Sequence, residues 1–594
     1  MKYFLLVDIG STTTKAILCS AASEEGLAII AMADAPTTVE APYEDVAIGL
    51  NNAIVRLREQ VVKSEAQVPG LVPYIDLDMV DGFLLTSSAG GGLQMLVIGL
   101  IKSMTGESAE RAALGGGGVI LDVMAQDDML QPFERIERIR SLRPDMILLA
   151  GGVEGGAVLD VAVLAEMLFQ AHPEGRFAAD EKLPLIYAGN SELHPYFLEK
   201  ATDYALLLVE NLRPVLDREN LTPTRKAIQQ QFMEHVMAKA PGYEVLKAKT
   251  SASILPTPLA VSRSLQLLST ERAENILAVD IGGATTDVFS SVEGVLNRTV
   301  SANIGMSYSV MNTLKEAGIE SIMRWMPKKA SELEIRNWLQ NKMLRPTTLP
   351  HSLLDLQLEQ AIAREALRLA YEQHMRLTIE LKGNKPSGDW KRSSESFFGN
   401  NELFAMKDIG LIIGSGGVIS HAPSYLQSML MLIDGFLPLG WTDILLDKDF
   451  TMPHFGALSQ LDPEVALRFL LDHSLTPLGI CLTPRNIGPV SGFIIHIEPK
   501  KGASREVKVG GNSLSLISFE PEEFPAQISI KGSWRLDLGA GYWQGITKVI
   551  KAAEVGLIVD LRGRPLPWKK NYVDNSVLNA SWQKQLELYT GGKR

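Results

Sequence analysis

The chain opens on a short apolar run, YFLLVD, broken by Gly10 to Thr13 and resumed as TKAILC. Apolar runs on both sides of a glycine-led break predict strand, tight turn, strand. Near residue 280 the same grammar returns as ILAVD, then IGGATT, then DVFSSV. Between the two, DMILLA (145–150), PLIYAG (184–189) and YALLLVE (204–210) read as strands, the first followed by a helical pattern through Phe169. Strands alternating with helices predict a parallel sheet covered on both faces, here an inserted α/β domain over 115–240. Its glycine loops, ALGGGG (113–118) and AGGVEGG (150–156), fall at strand ends, where open α/β sheets place ligands. Residues 331–382 read as mostly helical, with LEQAIAREALRLAYEQHM at helical spacing, and the polar stretch 383–402 reads as a loop. DIGLIIGSGGVISHAP (408–423) predicts a strand, a glycine turn and a helix start. The texture then changes: GFIIHIEP, REVKVGG, SLSLISFE, AQISIKG and GLIVDLRG are short runs of period two, a β-rich C-terminal domain over 480–594.

Composition narrows the function. With 594 residues, 46% hydrophobic and 21% charged, the chain has the make-up of a globular protein with several domain-sized units. The formal net charge of -12 argues against generic nucleic-acid or anionic-membrane binding. Cys19 and Cys481, the only cysteines, support neither a disulfide framework nor a zinc site and make a reducing cytoplasm the expected location. MKYFLLVDIG meets Asp8 too early for a signal peptide, and no apolar run approaches the roughly 18 residues of a membrane helix.

The repeated turns carry the candidate chemistry. Written together, DIGSTTTK and DIGGATTD share D-I-G-x-x-T-T. In the first, Gly10 frees the backbone for an anion-binding concavity, and Ser11, Thr12 and Thr13 add hydroxyl donors. Asp8, at a strand end, is placed to hold magnesium through water, and Lys15 to supply a counter-charge. For one such loop alone a polar hairpin tip is an equal reading. The second has Asp280 at a strand end, Gly282 and Gly283 in the turn, then Thr285, Thr286 and Asp287. Two Asp-led turns of this kind can clamp a polyphosphate and its magnesium, the positioning and charge stabilisation that phosphoryl transfer needs. In LIIGSGGVI, Gly414, Ser415, Gly416 and Gly417 follow a buried strand, where bare backbone can approach a ring or sugar. AGGVEGG reads as a packing turn or as a site for a nucleotide or a partner's cofactor tail. His421, His454 and His473 lack metal-ligand spacing. No Walker A, H-E-x-x-H or G-x-S-x-G pattern occurs.

The order DIGSTTTK, DIGGATTD, LIIGSGG resembles the phosphate-1, phosphate-2 and adenosine motifs of the actin-like ATPase superfamily, which includes sugar kinases and heat-shock chaperones. The resemblance implies duplicated actin-like (ribonuclease H-like) halves over 1–114 and 241–479, flanking the insert. It implies ATP and magnesium as cofactors. Asp8 and Asp280 would organise magnesium and the attacking water, and Asp287 would be the closing acid of the second motif. Gly10 to Thr13 and Gly282 to Thr285 would bind phosphates, and Gly414 to Gly417 the adenosine. VDIGSTTTKAI, TSSAGGGLQM (86–95), ILLAGGVEGG, AVDIGGATTDVFS and IIGSGGVISHAP resemble more narrowly the glutamate mutase L family, over roughly residues 3 to 460. That family accompanies adenosylcobalamin-dependent carbon-skeleton mutases as an ATP-dependent reactivating chaperone. The resemblance therefore implies weak ATPase activity and a mutase as protein partner, with no nucleic acid and no membrane. Three rivals stand beside it: a small-molecule kinase on the same fold, a 2-hydroxyacyl dehydratase activator, which needs clustered cysteines, and an ATP-binding scaffold without hydrolysis.

Overall fold

The computed structural model describes residues 2–10, 12–22, 26–39, 43–63, 80–88, 93–176, 182–232, 242–326, 331–378, 404–485, 492–533, 536–570, 572–586 and 588. The loop expected at 383–402, Ser11, and residues 89–92 of the TSSAGGGLQM motif lie outside the described residues. The chain divides into two units. One comprises Met1–Leu268, Leu377–Glu402 and Met452–His473, the other Ser269–Arg376, Leu403–Thr451 and Ser474–Arg594.

In the first unit, β1 (Lys2–Ile9), β2 (Thr13–Ala22) and β3 (Gly26–Pro36) form an antiparallel meander, and β4 (Gly82–Ser87) runs parallel to β1. Leu5, Leu6, Val7 and Ile9 are all buried, so the opening run is continuously apolar because both faces of β1 are covered. Helix Val46–Lys63 buries Val46, Leu50, Ala53, Ile54, Leu57 and Val61, one stripe at helical spacing.

The same unit holds a second sheet, wholly parallel, of β5 (Leu93–Gly99), β6 (Gly118–Ala125), β7 (Met146–Ala150), β8 (Leu183–Tyr187) and β9 (Tyr204–Leu208). Its order is β6-β5-β7-β8-β9, so its earliest strand lies upstream of residue 115. Alternate residues along its strands enter different cores. Leu96, Ile98, Ile147 and Leu149 join one, and Met95, Val97, Met146 and Leu148 join another that also takes in Leu5 and Val7. A two-residue strand, β10 (Leu255–Pro256), completes the first sheet in the order β10-β4-β1-β2-β3.

The second unit repeats the plan. β11 (Ile276–Ile281), β12 (Thr286–Val292) and β13 (Val295–Ser301) form a meander, with β14 (Leu411–Ser415) parallel to β11 and β15 (Gly440–Asp447) parallel to β14. Both sheets therefore run third, second, first, fourth in order of appearance, the duplicated actin-like arrangement. β16 (Leu475–Thr483) extends the second sheet. Of the C-terminal runs, β17 (Phe493–Pro499), β18 (Arg505–Val509), β20 (Ala526–Ile530) and β21 (Ile546–Ile550) make a separate antiparallel sheet. β19 (Leu514–Ile517) and β22 (Gly556–Asp560) instead finish the eight-stranded sheet, and β22 is buried throughout.

Candidate functional site

The first hairpin closes on itself. Gly10 N donates to Thr13 O at 3.0 Å, and a Cβ on Gly10 would stand 2.8 Å from that oxygen. Thr37 ties the turn down from β3's end, its N donating to Thr12 O at 3.0 Å and its Oγ1 to Gly10 O at 2.9 Å. Thr12 and Thr13 are exposed, and Thr14 is buried with its hydroxyl 2.9 Å from that of Thr37. Asp8 sits between two strands, across from Lys15 on β2 and Thr86 on β4. It is 5% exposed, and its Oδ1 accepts from Thr86 Oγ1 and from Thr257 Oγ1, each at 2.6 Å. Burial pushes the Asp8 carboxyl above its ordinary range, against the downward pull of Thr257, Thr86 and Lys15. Thr86 opens the TSSAGGGLQM motif, although nothing in that motif points to Asp8, and Thr257, which no motif announces, opens helix Thr257–Arg272 far along the chain.

The second hairpin has the same closure, Gly282 N to Thr285 O at 2.9 Å. Residues 304–309 cross it: Met306 N donates to Gly282 O at 3.0 Å and Ser307 N to Gly283 O at 2.9 Å. Gly283 and Thr285 remain partly exposed, whereas Thr286 is fully buried and donates its hydroxyl to Ile304 O at 2.9 Å. Asp280 lies opposite Asp287 on β12 and Ser415 on β14. Arg298 meets Asp287, Nε at 2.8 Å and Nη2 at 2.6 Å from Oδ1. The structure thus holds the proposed closing acid in an ion pair that the sequence pattern does not reveal.

The GSGG segment splits in its roles. Gly414 is inside β14, where a Cβ would come within 2.8 Å of Leu432. Ser415 is fully buried, its Oγ donating to Asp447 O at 3.4 Å. Gly416 has φ 104°, and a Cβ there would run into the Ile281 backbone at the end of β11, so only glycine fits. Gly417 is exposed, with open space where its side chain would be.

His454 and His473 are bound to backbone carbonyls, Lys15 O at 3.3 Å and Leu27 O at 3.1 Å. Among the described residues no group of three or more His, Cys, Asp or Glu is placed to hold a metal. Cys19 and Cys481 are buried and free, and burial pushes the Cys481 thiol up to about 12. No helix of the described residues is long and apolar enough to cross a membrane.

Two Asp-led hairpins, each at the head of the same strand order, define a protein of the actin-like superfamily. The chain belongs to the MutL protein family, whose model matches residues 4–474. Protein MutL of Clostridium tetanomorphum is 28% identical over 499 residues, 79% of this chain and 98% of that protein. Among solved structures, nucleotide-free acetone carboxylase matches with TM-score 0.32 and 13% identity over 85% of this chain and 80% of its own. A glycerol dehydratase reactivase matches with TM-score 0.27 and 13% identity over 73% and 95%. Neither structural likeness is close enough to bear on function.

Proposed function

We propose that this protein is an ATP-dependent reactivating chaperone for an adenosylcobalamin-dependent, glutamate mutase-like enzyme of the cytoplasm, releasing its damaged cobalamin. The carrying observation is the pair of Asp-led hairpins with identical closure, in a chain of the MutL family. The donor set fits a magnesium nucleotide. In this reading the exposed hydroxyls of Thr12 and Thr13, with Ser11 and Lys15, bind phosphate, as do Gly282, Gly283 and Thr285, and Gly416 and Gly417 leave backbone bare for the adenosine. Asp8, fixed through Oδ1, and Asp280 are the residues that would hold magnesium, which would supply neutralisation of the phosphate charge. Thr286, Gly414 and Ser415 shape the walls from behind. Nucleotide turnover supplies a cyclic difference in affinity for the apoenzyme, which is what ejecting a tightly held cofactor requires.

The test is to inactivate a mutase so that it retains damaged cobalamin, then add this protein, ATP, magnesium and fresh coenzyme. ATP-dependent recovery of mutase activity supports the proposal. No recovery, together with phosphorylation of a free metabolite, would overturn it in favour of a kinase.

A further inference from the structure

The parallel sheet of the first unit carries a feature that the nucleotide hairpins do not use. In the order β6-β5-β7-β8-β9 the chain leaves β5 for one edge and then crosses to the other side. The helices that follow β5 and β7 consequently cover opposite faces. Glu107–Gly115 gives Ala109 and Ala112 to one core, and Leu159–Ala171 gives Val161 and Leu168 to the other. Loops leaving such a strand pair part company, and open α/β sheets bind ligands in the crevice so formed. The hydrogen bonds follow the divergence. Beyond β5, Leu100 O accepts from Gln126 N at 3.1 Å and Lys102 N donates to Asp127 Oδ1 at 2.7 Å, both toward β6. Beyond β7, Gly151 O accepts from Asn190 N at 2.9 Å, toward β8.

A connected polar chain runs along this carboxyl edge. Ser108, in helix Glu107–Gly115, shares its hydroxyl with Arg111, Arg213 and Glu219, and Arg111 Nη2 is also ion-paired with Glu219. Arg213 N donates to Asn211 Oδ1 at 3.0 Å. Asn211 Nδ2 donates to Gly152 O at 3.0 Å and Glu154 Oε1 at 2.7 Å, and Ser191 Oγ reaches Glu154 Oε2 at 2.5 Å. These bonds hold the Glu154 carboxyl below its ordinary range, outweighing the upward push of burial.

Among the described residues of 93–232, Arg111 Nε and Nη1, Asn190 Nδ2, His194 Nε2 and the Thr224 hydroxyl are buried with no hydrogen-bond partner, and no buried carboxylate or amide oxygen is in that position. Arg111 is 7% exposed and Asn190 0%. The Glu107 carboxylate stands 3.7 Å from Arg111 Nη1, beyond hydrogen-bond reach. Asn190 lies against the AGGVEGG loop, where a Cβ on Gly152 would be 3.2 Å from its own, and its Oδ1 already accepts from Glu192 N at 3.0 Å. Buried donors left without acceptors cost about 1–3 kcal/mol each, and native proteins supply a counterpart.

We propose that the carboxyl edge of this sheet is a second ligand site, distinct from the Asp-led hairpins, which takes an oxyanion-bearing small molecule through Arg111 and Asn190. The ligand brings acceptors, from a phosphate or a carboxylate, to the donor atoms that Glu107, Glu154 and Glu219 leave unmet. Of the loop's glycines, Gly155 has open space where a side chain would be.

The experiment is hydrogen exchange on the full chain with inorganic phosphate in one arm and acetate in the other, repeated on the Asp8→Asn protein. Slowed exchange over 101–116 and 186–195, unaffected by Asp8→Asn, supports the site, and the more effective arm identifies the acid. Protection confined to 8–15 and 280–287, or none with either anion, overturns it. Asn190→Leu and Arg111→Lys should each weaken the effective anion about tenfold while far-ultraviolet circular dichroism stays unchanged. If either variant does not fold, exchange on the unmodified protein still decides the matter.

Discussion

The two hairpins share a backbone and differ in what stands beside the leading aspartate. Each turn closes with glycine N–H on threonine carbonyl, and each following threonine, Thr14 or Thr286, turns its hydroxyl inward. The next residue breaks the likeness. Across from Asp8 stands Lys15, and across from Asp280 stands Asp287, a like charge that Arg298 offsets. Asp8 is wrapped by two remote threonines, whereas Asp280 remains partly exposed. Duplication has kept the glycine-closed turn and set the electrostatics of each copy by residues outside it. One acid is held in place by neutral hydroxyls; the other faces a second acid whose charge an arginine offsets.

The sharpest way to break this comparison is to remove each acid. Asp8→Ala and Asp280→Ala are expected to lower magnesium-dependent ATP turnover on the order of a hundredfold. Asp8→Asn should lower turnover similarly while raising the melting temperature, because it deletes a buried charge and keeps an acceptor for Thr86 and Thr257. Paired turnover and calorimetric measurements check this; unfolding of Asp8→Asn would make the acid structural.

Arg298→Met tests the second hairpin. Two opposed aspartates without their cation should cost about 3 kcal/mol of stability by urea unfolding. Adding Asp287→Asn should restore most of it, and additive losses in the double-mutant cycle would show that the pair is not coupled.

Thr257→Val tests the first hairpin. Losing a hydroxyl bonded to a carboxylate costs about 1.5–3 kcal/mol if the acid stays charged. Because that hydroxyl lowers the Asp8 pKa, its removal raises it further, so the acid limb of magnesium-dependent ATP binding should move to higher pH. Thr257→Ser should leave the limb in place, which a purely structural threonine would not require.

The smallest effect separates the sheets by pH. His374, fully buried behind the second hairpin, lies 2.8 Å from Ser290 Oγ and 3.0 Å from Thr299 Oγ1, and burial lowers its pKa to about 3. The unfolded chain binds its proton from near 6.5 downward while the folded chain does not. Stability should therefore fall as pH drops through that window, by at most about 1.4 kcal/mol per pH unit. Asp8, raised in the folded state, acts in the opposite sense, and His374→Gln should flatten the acid slope.

The sequence makes the hairpins legible because strand, turn and strand are local and the motif repeats. DMILLA, PLIYAG and YALLLVE were readable as strands for the same reason, their apolar runs ending at glycines or charges. What stayed hidden is long-range choice. Nothing local in GLIVDLRG says that it pairs with β16 rather than with its neighbours in the C-terminal sheet. Thr86 and Thr257 lie 78 and 249 residues from the acid they hold, and Arg298 sits in an unremarkable strand. The glycines of GSGG look alike in sequence, yet one packs against Leu432, one avoids a backbone and one faces open space.

The three-part make-up of the first unit has a consequence for synthesis. Helix Met452–Leu458 is buried along its whole length and packs against β1 and β4. It is anchored by Ser264 Oγ on Met452 O at 2.6 Å, and by Gly456, where any side chain would overlap the Ala260 carbonyl. A ribosome reaches that helix roughly 440 residues after finishing β1, about 20 to 90 seconds at ordinary elongation rates. Until then the strand that carries Asp8 lacks its cover, and a segment made early is among the last to be sealed. A transcript truncated before residue 452 would yield an N-terminal half with an open apolar seam, prone to capture by holdases or to aggregation, even though every residue of its first hairpin is present.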